Sequence, residues 1–324
     1  MQQEIRFATF NTFNLAPPGQ QLYDNLLPLS AEQYEAKLDW TARQIDLLGA
    51  DVIGFQEIFS QQSLREVLAR TKHFRDAVHV GFDPDPAAPR LTPSVALVSR
   101  LPLAGPGVAL RDFPQGVAMD EGAAEAATFS RPVLHAAVQV APDCTIDVLV
   151  VHLKSKRPDY RNGEAGDDSL LFGLGCLRSL VRRGTEAVAL RVLLTNMAQE
   201  NRRAQVVLGD FNDGADAVTT AIVMGAGMPV AGRLFDACQL QKNQDHLRHI
   251  GFSVLHDAHY ATIDHILVSE QFNPALPDAI GEVVDVIYLN DHLVLGLPEA
   301  SDHGQVLARV RLFDDTRDFT DSGV

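Results

Sequence analysis

The sequence predicts an α/β protein in which two β-sheets pack face to face and helices cover the outside. Three observations carry that reading. Strand-type runs far outnumber helical ones through the middle of the chain. The opening segment reads as strand, helix, strand. Neither a GxGxxG turn nor a GxxxxGK[ST] loop occurs, which disfavours a Rossmann or TIM arrangement. The 324 residues contain no repeat, no low-complexity segment and no linker, so a single domain over residues 1–324 is expected.

Residues 4–10, EIRFATF, alternate and predict a strand, with Asn11 directly after it. A Pro/Gly loop leads to a helix whose start is marked by Ser30 and Gln33 at capping-box spacing. Leu38, Ala42, Ile45 and Leu48 form its apolar stripe, and Gly49 suits its end. Residues 51–56, DVIGFQ, predict the next strand, with Glu57 at its end. A β-α-β unit sets its strands parallel and close, so Asn11 and Glu57 should emerge at one sheet edge. A short helix at 61–70 and strands at 76–80 and 94–99 follow, then one or two strands over 127–131 and 133–140, with Arg131 among them. Residues 145–151, TIDVLVV, are strongly β-like and lead into HLKSKRP. The polar, Gly-containing stretch 158–170 predicts a mobile loop, and 171–201 a helix that Gly184 interrupts. The stretch 205–213, QVVLGDFND, opens as a buried strand that Gly209 ends, and Asp210 and Asn212 follow at a spacing of two. Near a strand end that spacing points both side chains the same way. A helix near 216–224 and strands at 261–268 (with Asp264 inside), 282–289 and 305–312 complete the reading. Residues 225–260 carry no clear pattern, and 313–324 are expected to fray.

No run of about 18 apolar residues exists, so no membrane span is expected. The N-terminus lacks a basic region followed by an apolar stretch, which points to a cytoplasmic protein. Cys144, Cys176 and Cys238 are widely spaced and suggest neither a zinc site nor a disulfide framework. The formal net charge is −15, which disfavours nucleic acid and anionic lipid as partners of the whole surface. From Lys154 to Arg203, however, ten Lys+Arg face six Asp+Glu, a local +4 that leaves −19 for the remainder. That basic segment starts directly after the strand that ends in His152, where an anionic substrate would profit from it. Most of its charges read as solvated helix faces; Lys154, Lys156 and Arg157 are the exceptions.

Asn11, Glu57, His152, Asp210, Asn212, Asp264, Asp302 and His303 all sit in or beside apolar strand-type runs. Singly, each has a plain structural reading: a turn residue, an ion-pair partner, a satisfied core histidine, a loop cap. Jointly they point elsewhere. Three carboxylates at such positions, Glu57, Asp210 and Asp302, would repel one another unless a cation neutralised them. Oxygen-rich ligands without cysteine point to Mg²⁺, Mn²⁺ or Ca²⁺. His246, His249, His256 and His259 lack the Cys or HExxH context of a zinc site. Asp291-His292 echoes Asp302-His303 without the flanking Ser and Gly and reads as loop.

The segments FNTFN, GFQEI, VVHLKSK, LGDFND, IDHILVS and SDHG occur in that order over residues 7–304. In this the chain resembles the endonuclease/exonuclease/phosphatase family of DNase I-like phosphoesterases. The resemblance implies a four-layer α/β sandwich, two mostly antiparallel sheets face to face with helices outside. It implies divalent-metal-dependent cleavage of phosphate esters, with Glu57, Asn11 and Asp302 at the metal. Asp210 would orient or deprotonate the attacking water. Asn212, His152 and His303 would contact the phosphate, and Asp264 would fix the tautomer of His303. Arg131 and Lys154 are further candidates for phosphate contacts, Lys154 because it lies two residues from His152 with the same facing. HLKSKRP resembles the nuclease-like bacterial members, so a nuclease acting on DNA or RNA is the first expectation. A small-molecule or phospholipid phosphoesterase is the alternative, which the overall acidity permits. A catalytically silent binding module would have no use for Asp210 or His303.

Overall fold

The computed structural model describes residues 3–23, 25–84, 91–118, 127–161, 164, 166–227, 231–242, 251–256 and 258–313. Two six-stranded sheets form its centre. In the first, β13 (Gly281–Leu289), β14 (Gln305–Leu312), β1 (Glu4–Leu15), β2 (Val52–Ile58), β4 (Ser94–Ser99) and β3 (Val78–Gly81) lie in that order. In the second the order is β5 (Val108–Asp112), β6 (Thr128–Ala141), β7 (Cys144–His152), β8 (Gln205–Asp210), β12 (Asp264–Ser269) and β9 (Leu234–Asp236). A small hairpin, β10 (Val254–His256) with β11 (His259–Ala261), stands apart.

Each sheet holds one parallel pair, β1/β2 in one and β7/β8 in the other, and its other pairings are antiparallel. Each parallel pair is joined by a long crossover helix, α1 (Ala31–Leu48) or α3 (Ser169–Asn201). The helix α1 begins as the sequence predicts, with Ser30 and Gln33 exchanging both capping-box bonds and Gly49 left-handed at its end. Three apolar clusters make four layers. Phe7, Val148, Leu208 and Val310 fill the space between the sheets. Leu38, Ile45, Phe55 and Leu64 pack α1 and α2 (Gln61–Arg70) on the first sheet. Leu149, Leu190, Leu194 and Val207 pack α3 on the second.

Strand alternation then places the polar residues. Phe7, Val148, Val150, Val206, Leu208, Ile266 and Val268 face the inter-sheet core. Two residues beyond the outermost of these on each strand come Asn11 (after Thr9), His152, Asp210 and Asp264. The pairings His152↔Asp210 and Asp210↔Asp264 line three of them up across the second sheet. The C-terminal ends of the two parallel pairs and the start of antiparallel β12 therefore share one rim.

Several expectations change. The helix α3 runs unbroken through Gly184 for 33 residues. A single interior glycine costs about 1 kcal/mol against alanine, which the packing of Ala187, Leu190 and Leu194 on the sheet offsets. Strand β5 went unread, because its exposed, polar VALRD lacks clean alternation. Residues 128–141 form one strand, and Asp264 opens β12 instead of lying within it. Asp291-His292 belongs to a short helix (Asp291–Leu295), not a loop. Apart from Phe313, the tail expected to fray lies outside the described residues, as do His246 and His249.

The strand that leads to Asp210 tolerates no side chain at Gly209. A Cβ there would lie 2.3 Å from the Val151 carbonyl oxygen, a backbone atom that cannot step aside. Gly209→Ala is expected to cost about 3 kcal/mol or more, read as a fall in the midpoint of urea unfolding. A midpoint unchanged from wild type would mean that β7 and β8 do not approach this closely.

Candidate active site

At the rim, Asn11 is fully buried and its Nδ2 donates to Asp210 Oδ2 at 3.1 Å. The same Nδ2 lies 3.4 Å from His303 Nε2. His152 Nε2 stands 3.4 Å from Asp210 Oδ2, and the other ring nitrogen of His152 is buried without a partner. His303 Nδ1 bonds Asp264 Oδ2 at 2.8 Å, which turns Nε2 toward Asp210 (4.0 Å) and Asp302 (3.9 Å). Asp302 is exposed. Glu57 has a left-handed backbone (φ 61°), and its Oε2 accepts from Asn14 N at 2.9 Å. Side chains from positions 11, 152, 210, 264 and 303 thus meet in one buried group, with Asp302 at its edge.

Burial and charge set the protonation states. Burial raises the Asp210 carboxyl to about 7, Asp264 and Glu57 add to the rise, and His303 opposes it. Burial alone would lower His303, but the adjoining Asp264 carboxylate, with Asp210 and Asp302, lifts it well above the ordinary histidine value. Burial, Arg131 and His303 push His152 well below that value, so it is neutral. The site therefore holds one cationic and one neutral imidazole, and a carboxyl poised near neutrality.

Two facing arguments do not carry over. Asn212 lies beyond the end of β8 with φ 54°, so strand alternation does not reach it. Its N bonds Asp210 Oδ1 at 2.8 Å and its Nδ2 donates to Leu153 O at 3.0 Å. Lys154 likewise lies past the end of β7. Its backbone is clamped by α3, with N on Glu186 Oε2 (2.8 Å) and O on Arg183 Nη1 (3.2 Å). Its ammonium is lowered by burial and stands within electrostatic reach of Arg131. Arg131 Nη1 donates to Leu153 O at 3.2 Å, over the end of β7.

Sequence reasoning missed several supporting residues. Lys37 sits on the buried face of α1, three residues after Tyr34, and is only 4% exposed. Burial lowers its ammonium to about 8, and the Asp302 and Glu57 carboxylates pull the other way. A lysine at an apolar-periodic position was the signal available. Ser301 Oγ donates to Asn11 O (2.7 Å) and accepts from His303 N (3.0 Å), tying SDHG to β1. His292 Nε2 meets His303 O at 2.9 Å. Arg183 Nε donates to Asp213 Oδ2 at 2.7 Å, which fixes the loop holding Asn212 to the loop holding Lys154. Arg183→Met removes this bond and the one to Lys154 O, while Asp213 keeps Lys156 (2.9 Å) and Thr219 (2.6 Å). The expected cost is about 1–3 kcal/mol, measured by chemical denaturation. A loss below about 1 kcal/mol would show that the clamp is dispensable.

Two places suit a cation. Among the described residues, Asp210, Asp264 and His303 bring ligand atoms within 4.8 Å of one another. An ion there would displace the Asp264–His303 hydrogen bond and face a protonated imidazole. Glu57, Asn11 and Asp302 offer oxygen donors next to a group of carboxylates whose mutual repulsion shows in the raised Asp210. Oxygen donors with no thiolate suit a hard divalent ion.

The family model described as "Endonuclease/Exonuclease/phosphatase family" matches residues 8–303. No curated protein matches the sequence. Among solved structures, the catalytic domain of human Nocturnin with a bound sulfate is similar at TM-score 0.60 and 16% identity, covering 96% of this chain and 98% of that one. ANGEL2, a 2′,3′-cyclic phosphatase, in complex with adenosine-2′,3′-vanadate, is similar at TM-score 0.60 and 13% identity, with 96% of each chain covered. The mannosyl-6-phosphatase of Bacteroides thetaiotaomicron is similar at TM-score 0.58 and 14% identity, covering 94% and 99%. At these identities the likeness is one of fold.

Proposed function

The chain belongs to the endonuclease/exonuclease/phosphatase family, hydrolases acting on phosphate esters, and from that premise we propose that it is a divalent-metal-dependent phosphodiesterase. The observation that carries the reading is the buried row of Asn11, Asp210, His303 and Asp264 at the rim of the inter-sheet core. Glu57, Asn11 and Asp302 would hold Mg²⁺, or Mn²⁺ or Ca²⁺ in its place. That ion, when bound, screens phosphate charge and acidifies water. Asp210 takes the proton of the attacking water. An ordinary aspartate at about 3.9 is poorly matched to that task; burial and Asp264 raise Asp210 toward it, and an ion bound at Glu57 would take back part of the rise. His303, held protonated by Asp264, donates to a phosphate oxygen as negative charge builds up. His152 and the second amide hydrogen of Asn212 complete the grip, with Arg131 and Lys154 beyond His152.

The substrate reading shifts from nucleic acid toward small phosphodiesters. Much of the basic segment is spent internally: Lys156 and Arg183 on Asp213, Arg178 on Glu164, Arg182 on Glu186. Arg191 donates to backbone carbonyls. A duplex-binding surface typically neutralises about six to ten phosphates, more than the cations of the segment that this pairing leaves free among the described residues. A nuclease remains the second reading, favoured by Lys154 and Arg131 beside His152. Bis(p-nitrophenyl) phosphate should be hydrolysed with Mg²⁺ and not in EDTA. Small diesters should outpace single- and double-stranded DNA and RNA. Cleavage of the polymers at comparable or higher kcat/KM would restore the nuclease reading, and no turnover of any ester would refute the enzyme. Among the described residues no helix is long and apolar enough to cross a membrane.

A further inference from the structure

Next to Glu57 the loop between β1 and α1 folds over a cavity of about 130 Å³. Its walls are mostly aliphatic, from Pro17, Leu22, Leu26, Leu27, Leu29 and Pro298, with Gln20, Gln33 and Glu299 among them. Leu27 is 89% exposed and Leu26 36%, so the lip of the cavity is largely apolar too. Of its polar side chains, Asn14 and Lys37 neighbour Glu57. Asn14, whose N bonds Glu57, has a buried Oδ1 without a hydrogen-bond partner. Lys37, almost wholly buried, lines the same cavity, and its Nζ lies 5.5 Å from the Phe13 ring centroid. No hydrogen bond to that ammonium is made among the described residues. A buried ammonium costs several kcal/mol unless an anion or polar partner meets it, and Glu57 and Asp302 act on it only at a distance.

We propose that this cavity is a subsite for the aliphatic chain of the substrate, with Lys37 meeting the phosphate or the polar linker that joins it to the chain. The substrate class is then a phosphate ester of an aliphatic, lipid-like alcohol. The inference rests on the phosphodiesterase reading and deepens it. A nucleoside fits less well, because bases are usually held by stacking on aromatic faces. Among the described residues Phe13 is the single aromatic in the lining, and Lys37 already lies over its ring. The size is close to the cavity of about 150 Å³ that takes up benzene, so it suits a chain of about six carbons.

The test has two arms. In the first, p-nitrophenyl alkyl phosphates from methyl to decyl are turned over with Mg²⁺. The kcat/KM should rise about three- to fourfold per methylene and level off near six carbons. The hexyl ester should outpace the p-nitrophenyl ester of thymidine 5′-phosphate. A flat chain-length profile, or preference for the nucleoside, overturns the subsite. In the second arm, calorimetry on the metal-free protein should find hexyl phosphate bound at least about tenfold tighter than methyl phosphate. Ala36→Trp, at an exposed position of α1 that borders the cavity, should abolish that difference. Equal binding of the two phosphates, or a difference that survives Ala36→Trp, counts against the proposal. Esters cleaved without chain preference sink the subsite and leave the reaction standing. Chain-dependent binding with no ester cleaved sinks the reaction and leaves the subsite standing.

Discussion

His303→Ala is expected to lower kcat on bis(p-nitrophenyl) phosphate by about 10³-fold, the range seen when a charged transition-state donor is removed. The imidazole is cationic because Asp264 holds it, and it is aimed because Asp264 takes Nδ1. The alanine variant also leaves Asp264 buried without its partner, so some stability is lost. His303→Gln restores a donor to Asp264, and its folding should be nearer wild type with activity still at the low level. Asp264→Asn keeps the ring in place but withdraws the charge that protonates it, and about 10²-fold of activity should go with it. The two act as one unit, so the double variant should be no slower than His303→Ala alone. Turnover by His303→Gln within a factor of a few of wild type would remove His303 from the chemistry.

Withdrawal of divalent metal is expected to stop turnover altogether, and Mg²⁺ or Mn²⁺ to restore it. Binding should also release protons, because the cation favours ionisation of a carboxyl cluster that otherwise resists it. Asp210 stands near 7 when no ion is bound, through burial, Asp264 and Glu57. A cation beside Glu57 lowers that value, so about half a proton should leave per ion at pH 7. Fewer should leave at pH 8.5, where Asp210 is already ionised. Calorimetry in buffers of different ionisation enthalpy reads this directly. Full activity in EDTA, or metal uptake with no proton release at pH 7, would contradict the arrangement.

The fold was legible because period-2 alternation and cap chemistry agree with the final packing. Ser30, Gln33 and Gly49 bound α1 where expected, and the β-α-β rule placed β1 parallel to β2. Asn11, His152, Asp210 and Asp264 were found because each continues or opens an apolar strand on its core-facing side. Asn212 and Lys154 were placed by extending that alternation past the strand ends, where a left-handed residue and a helix-bound backbone override it. Lys37, Ser301 and Arg183 act on the site through contacts of high sequence separation, which local patterns do not encode. Lys37 was nonetheless visible as a charge on an apolar stripe. Arg178 and Arg182, read as solvated helix faces, are paired with Glu164 and Glu186, and Lys156, expected to serve an anionic substrate, is paired with Asp213. The partners of Arg178 and Lys156 are distant in the chain, so no local pattern encodes them.

The central claim is that the cation belongs at Glu57, beside the Asp264–His303 pair and not within it. Crystals soaked in Mn²⁺ and measured near the manganese absorption edge test it most directly. The account predicts an anomalous peak bonded to the Glu57 carboxylate on the Asn11 and Asp302 side, with the His303–Asp264 hydrogen bond intact. A peak held by Asp264 and His303, with that bond broken, would contradict it.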